Sequence, residues 1–460
     1  MKKLKKPTKR KRIKKKSPIS FWGILFILIV VTCISVTLLF FHTAPFPMTD
    51  SKPKNLILMI PDGLGPDGVG LARSFKGKPL HLDQYLVGMV QTNATNVKVT
   101  DSSAAATAYA TGKKVVYNTI SIDNKGQALP TIMEAAKRQG KGTGIVVTSR
   151  ITHATPACFY AHTSNRHEEL RIAKYLIHSK LDIALGGGLS WFLPYSEGGK
   201  QRPGHNLLNK AKEKGYRVIT TLKQLRKSLP QNPILGLFSR DHMPYELERN
   251  PDLKPSLSEM TKIALNHLKK KPEGFFLMVE GSLIDQAAHA SDAALFVNEA
   301  IEFDNTVALC MKFAQNNPGT LVVIVPDHET GGLAVGEGDL NLLKNSKLSS
   351  EAIWNNYQNG QPFEEALLQG TGITELTVSE NYYLFLDQRV MLPPHIRLAR
   401  IISWRSNILW ATIDHSLVDV PIYAYGPGSK EFRGVIDNSD VGNKIISLFD
   451  LDMSFKPSKP

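Results

Sequence analysis

Three apolar runs that each end in an acid constrain this chain more tightly than any other feature of it. "NLILMIPDG" carries Asp62, "GFFLMVEG" carries Glu280 and "TLVVIVPD" carries Asp327. Each is of strand length and lacks polar alternation, as expected of strands buried on both faces of a parallel sheet. Further runs of this kind follow in "GTGIVVTS", "LDIALGGG", "YRVITT" and "VPIYAYGP". Between them lie amphipathic stretches such as "LPTIMEAAKRQG", "HEELRIAKYLIHS", "LSEMTKIALNHLKK" and "ALFVNEAIEFDNTVALCMKFAQ". This alternation predicts an α/β fold, a three-layer sandwich with a largely parallel central sheet. Ligand sites in such sheets form beyond the carboxyl ends of the strands, where the three acids are predicted to converge. Residues of about 191–255 and 336–407 break the rhythm and read as insertions or excursions from the sheet.

Charge argues against one function class. Of the net +15 in this 460-residue chain, eleven charges belong to the acid-free tail that ends at Lys16, which leaves about +4 for the rest. The body is therefore not notably basic, and nucleic-acid binding is not expected. The tail, 1–17, is followed by "SFWGILFILIVVTCISVTLLFF", long enough as a helix over 18–42 to cross the hydrocarbon of a bilayer. No small-x-small cleavage site follows it, so the reading is an uncleaved signal anchor. Basic residues before the span predict a cytoplasmic N-terminus and a body that is periplasmic or extracellular, on a single-pass membrane protein. A proline-containing linker over 43–54 leads to one globular domain over 55–451, with a short tail at 452–460. Cys33 lies in the span, and Cys158 and Cys310 read as buried thiols.

The chemistry-bearing residues cluster around the acids. In "VEGSLIDQAAHASD", a helix starting near Ile284 puts Asp285 and His289 on one face at i, i+4, a spacing that suits two ligands of one metal. "VPDHETGG" adds Asp327 and His328, and "TIDHSL" adds His415 ahead of what reads as the last strand. Mixed nitrogen and oxygen donors of this kind suit zinc. The segment "VTDSSAAATAYATG" places Ser102 where a helix N-terminus favours an anion such as phosphate. A metal beside Ser102 would turn its hydroxyl into a nucleophile. The alanines read as leaving room there for a phosphoryl group and two ions. "THATPACFYAHTSNR" contributes His153, Thr155 and Arg166, whose guanidinium can hold two phosphate oxygens at once.

From Asn55 to about Leu451 the chain resembles the alkaline phosphatase family. The resemblance rests on "PDGLG", "TDSSAAATAYATG", "THATP" with Arg166, "VEGSLIDQAAH" and "PDHETGG" in that order, followed by His415. It implies two Zn2+ and one Mg2+. Asp285, His289 and His415 would hold the first zinc; Asp62, Asp327, His328 and the Ser102 hydroxyl would hold the second. Asp62, Thr155 and Glu280 would form the magnesium site with His153 nearby. Arg166 would clamp the phosphoryl group, oriented by Asp101. The implied reaction is hydrolysis of small-molecule phosphate monoesters through a phosphoserine at Ser102, and the family's common dimer leaves a homodimer open. His153 stands where many relatives have an acid, and Gln286 where Lys or His is frequent. These departures leave the third metal open to zinc and predict looser retention of product phosphate. The rival readings are a phosphodiesterase of the same superfamily and a catalytically silent binding protein. The Cys or Ser with x-Pro-x-Arg of sulfatases does not occur at Ser102. Ser103 is the alternative nucleophile, whereas His162 and His167 read as structural or surface residues.

Overall fold

A computed structural model describes residues 30, 52–227 and 233–459. Apart from Val30, the apolar span at 18–42 lies outside the described residues, as do the basic tail and most of the linker. Among the described residues no helix is long and apolar enough to cross a membrane.

Fourteen strands are described, in chain order β1 (Asn55–Ile60), β2 (Leu86–Gln91), β3 (Gly142–Arg150), β4 (Ile183–Gly187), β5 (Arg217–Ile219), β6 (Ile234–Leu237) and β7 (Phe275–Glu280). They continue as β8 (Thr320–Ile324), β9 (Glu329–Thr330), β10 (Leu333–Val335), β11 (Ile408–Trp410), β12 (His415–Ser416), β13 (Val420–Tyr425) and β14 (Gly434–Asp437). Ten of them form one sheet in the order β14-β2-β13-β8-β1-β7-β3-β4-β6-β5. Every described pairing in it is parallel except those of β13, which runs against both β8 and β2. The largely parallel sheet and the helical layers agree with expectation.

The central strand shows why its sequence is apolar throughout. Leu56, Leu58 and Ile60 join one apolar cluster, while Ile57 and Met59 join another on the opposite face. Alternate side chains of a strand point to opposite faces, so a run buried on both sides has no polar positions to offer. Helices Ile132–Arg138 and Glu169–Ser179 feed the first cluster; Leu257–Leu268 and Ala293–Asn316 feed the second.

Two sequence expectations need correction. Part of 191–255 is not an excursion: β5, within the predicted run "YRVITT", and β6, which no run marked, extend the edge of the main sheet. β6 is only four residues long, too short to announce itself by periodicity. The strand after His415 is also not the last, since β14 follows and pairs with β2; its Gly434 start and exposed Val435 give it little apolar signal. By contrast, 336–407 contributes no strand to the main sheet and is chiefly helical, including Ser350–Gln358, Phe363–Thr371 and Pro394–Arg405.

Candidate active site

Register brings the three acids together. β1 lies between β7 and β8, with Ile60 opposite Glu280 and Met59 opposite Ile324. Asp62 and Asp327 lie a few residues beyond their strands, and Glu280 closes its own. All three carboxylates are buried at the carboxyl end of the sheet.

Three groups of side chains have potential ligand atoms that all lie within 4.8 Å of one another: Asp285, His289 and His415; Asp62, Asp327 and His328; and Asp62, His153 and Glu280. Asp62 belongs to two of them. Thr155 Oγ1 sits 3.4 Å from Asp62 Oδ2, beside the third group. Asp285 and His289 come from the one short helix Leu283–His289, as their spacing predicts. His415 arrives from far along the chain: β12 pairs with β9, placing His415 opposite Thr330 and stacking its ring on His328 at 3.5 Å between centroids.

These residues fit cations. Asp62 Oδ1, Asp327 Oδ2, both Glu280 oxygens and His153 Nδ1 are buried with no hydrogen-bond partner among the described residues. Such orphaned acceptors are costly unless an ion satisfies them. Burial, reinforced by the neighbouring carboxylates, holds Asp62 well above the usual carboxylate range. Burial likewise lifts Asp327 to about 7 and Glu280 to about 8. Asp285 behaves oppositely: burial opposes its charge, but His289, His415 and His328 hold it well below the usual value. Burial works against a charged His289 too, yet Asp285 raises it to about 9.

Hydrogen bonds fix the imidazoles. His289 Nδ1 donates to the Ile413 carbonyl at 2.5 Å and His415 Nδ1 to the Thr100 carbonyl at 2.8 Å. A carbonyl can only accept, so in each neutral ring Nε2 keeps its lone pair for the site. His328 Nδ1 lies 3.1 Å from Thr330 Oγ1, which in turn donates to Asp285 Oδ1 at 2.6 Å. Thr330 was missed in the sequence, although it sits two residues after His328 in "VPDHETGG".

Ser102 begins the helix Ser102–Thr111, with Asp101 as its N-cap, accepting from Ala104 N at 3.1 Å. The Ser102 hydroxyl lies 3.3 Å from His328 Nε2. Ser103 turns away and donates to Asp101 Oδ2, so its hydroxyl is occupied. Asp101 Oδ2 also accepts from Arg166 Nη1 at 2.9 Å, while Arg166 Nη2 lies 3.3 Å from His153 Nε2. One acid therefore caps the helix and aims the arginine.

The alanines do more than clear space at the N-terminus. All ten residues of the helix are buried, and its far half packs at backbone distance against the helix Asn438–Leu448. A Cβ on Gly442 would stand 2.6 Å from the Ala108 carbonyl. A glycine at 442 is thus required by the close approach of the two helices.

His162 is buried between the Ser121 carbonyl and Glu134, and His167 is exposed; neither joins the three groups. Cys158 and Cys310 are buried free thiols. His242, which no motif marked, lies beside His153 with ring centroids 5.6 Å apart, its Nε2 2.7 Å from Arg150 Nη1.

Comparison with known proteins agrees with this geometry. The family profile described as alkaline phosphatase matches residues 53–451. Alkaline phosphatase 4 of Bacillus subtilis (strain 168) is 34% identical over 420 residues, covering 86% of this chain and 88% of its own length. The crystal structure of a cold-active alkaline phosphatase from Shewanella sp. matches with a TM-score of 0.78 at 32% identity, covering 86% of this chain and 99% of that one. A histidine-to-aspartate variant of the alkaline phosphatase of the Antarctic bacterium TAB5, with magnesium bound in its M3 site, matches with a TM-score of 0.67 at 27% identity, covering 87% of this chain and 99% of that one. With the profile spanning nearly all of the described body, and the relatives matched over most of their own length, the chain belongs to the alkaline phosphatase family of hydrolases.

Proposed function

We propose that this chain hydrolyses small-molecule phosphate monoesters through a covalent phosphoserine at Ser102. One observation carries the reading: the Ser102 hydroxyl lies at a helix N-terminus, 3.3 Å from His328, beside an arginine that the same helix's capping acid holds in place.

Two zinc ions are assigned to the Asp285, His289 and His415 group and to the Asp62, Asp327 and His328 group, the latter with Ser102. Magnesium is assigned to Asp62, Thr155 and Glu280 with His153. When bound, such cations stabilise the charge of the phosphoryl group and lower the pKa of a coordinated hydroxyl or water. His153 belongs to the third group, and an imidazole donor beside the two carboxylates there suits zinc as well as magnesium. Ser102 Oγ attacks phosphorus and the ester oxygen leaves as the alcohol. Water then displaces the serine oxygen, giving inorganic phosphate and free Ser102. Arg166 holds two non-bridging oxygens through both steps, and Asp101 keeps its fork in plane. The free backbone N–H groups of the helix's first turn add further stabilisation of the anion.

The reading extends to the whole chain: a cytoplasmic tail at 1–17, an anchoring helix at 18–42, a linker at 43–54 and a catalytic domain over 55–451 on the periplasmic or extracellular side, with a homodimer left open.

The test compares p-nitrophenyl phosphate with bis(p-nitrophenyl) phosphate, before and after chelation, and measures intact mass after an acid quench. Monoester turnover that is lost on chelation, together with a phosphate adduct absent from Ser102→Ala, is the expected result. Turnover of the diester alone, or of neither ester, would overturn the assignment.

A further inference from the structure

The chain enters its catalytic body at the pole of the sheet opposite the site. Lys54 precedes β1, Lys141 precedes β3, and Lys269, Lys270 and Lys271 lie between the helix Leu257–Leu268 and β7, so all stand at the amino ends of parallel strands. Arg138 ends the helix that leads into β3. Lys141 Nζ bonds the Lys54 carbonyl at 3.3 Å and the Glu273 carbonyl at 2.8 Å, which ties these elements into one surface. Lys54, Arg138, Lys269 and Lys270 are exposed, and among the described residues Lys54, Lys269 and Lys270 have no ion-pair partner. Acids share this pole: Asp182 pairs with Lys137 and Lys271, Asp450 pairs with Lys52, Glu273 is exposed beside Lys141, and Asp452 lies near Arg138. The bases remain in excess because Lys54, Lys269 and Lys270 are left unpaired among the described residues.

We infer that this basic pole rests on the anionic lipid headgroups of the membrane that anchors the chain, and so turns the active site away from the bilayer. The inference rests on the anchor at 18–42. Nine residues, 43–51, separate that span from Lys52. Fully extended they reach about 30 Å, which keeps the pole close to the surface. Each basic side chain near an anionic leaflet favours contact by about fivefold, and a tether converts that modest preference into an orientation because the contact is intramolecular. The consequence bears on catalysis. A phosphate monoester is an anion and is repelled by such a leaflet over a Debye length of about 8 Å. From Lys54 to Asp62 the strand direction adds roughly 20 Å, which lifts the site clear of that repulsion.

The full chain is reconstituted into vesicles of phosphatidylglycerol with phosphatidylcholine, or of phosphatidylcholine alone, and lysine acetylation rates are read by mass spectrometry. Lys269 and Lys270 are expected to react at least about fivefold more slowly in the anionic vesicles. Lys200, exposed beyond the carboxyl end of β4, should react equally in both. The double variant Lys54→Glu, Arg138→Glu should erase most of the difference, as should 0.5 M salt. Protection that is equal in both vesicle types, as contact with a second copy would give, overturns the orientation. Extraction of the chain by alkaline carbonate overturns the anchor and the orientation with it. Resistance to extraction without differential labelling overturns the orientation alone.

Discussion

Thr330 Oγ1 donates a hydrogen bond to Asp285 Oδ1 at 2.6 Å and sits 3.1 Å from His328 Nδ1. One buried hydroxyl thus joins a residue of the first metal group to a residue of the second, and fixes which nitrogen of His328 faces the site.

Thr330→Val keeps shape and removes that link. Loss of such an outer hydrogen bond costs about 10–100-fold in metal affinity. Competition with a chromophoric chelator should show weaker zinc binding in the variant, with its circular dichroism spectrum unchanged. Equal affinities would deny Thr330 its role.

The two adjacent serines should separate cleanly. Ser102→Ala removes the proposed nucleophile and should abolish turnover and the phosphate adduct. Ser103→Ala loses one hydrogen bond to Asp101 and should retain activity within about tenfold, since a single bond of that kind contributes about 0.5–1.5 kcal/mol. The measurement is kcat on p-nitrophenyl phosphate for both variants; a dead Ser103→Ala beside an active Ser102→Ala would reverse the assignment.

Metal-free protein should lose stability as pH rises above neutrality. Asp62, Asp327 and Glu280 have folded pKa values raised above their unfolded ones, Asp327 to about 7 and Glu280 to about 8. Between the unfolded value near 4 and those folded values, the folded state binds more protons, so stability falls as pH climbs. His289, raised to about 9, has the same sign: its contribution is full below the unfolded value and lost through 9. Asp285 is depressed and changes only as pH falls below the ordinary carboxylate range, outside this window. His153, His328 and His242 are held by burial below the usual imidazole value, so their contribution rises with pH up to the unfolded value near 6.5 and opposes the fall there. Thermal unfolding of chelated protein from pH 7 to pH 9 should therefore show a falling midpoint, and zinc should restore more at the alkaline end. A flat profile would contradict the carboxylate cluster.

Gln286 donates to Asp285 Oδ2 at 3.1 Å and brings no cation. Gln286→Lys should bind phosphate more tightly, with a lower inhibition constant and slower product release. Equal inhibition constants would show that this position does not govern product retention.

The strand-end acids were legible because a strand buried on both faces is apolar until it emerges, so an acid directly after such a run marks the emergence. Asp285 and His289 were legible because helical spacing is local. Asp101 and Ser102 were legible through a resemblance, yet their division of labour was not: the sequence offers two serines, and only the fold turns Ser103 onto Asp101. His415 lies more than a hundred residues from Asp285, and its approach depends on the two-residue pairing of β12 with β9, which no periodicity can announce. The alanines carried a plain signal of smallness, but the close approach of their helix to the one at 438–448, where Gly442 meets the Ala108 carbonyl, joins segments over three hundred residues apart. Local pattern thus determined the α/β class and most candidate ligands by type. Only tertiary structure decided which donors share a cation, which serine is free and which strand runs backwards, because each depends on contacts between segments far apart in the chain.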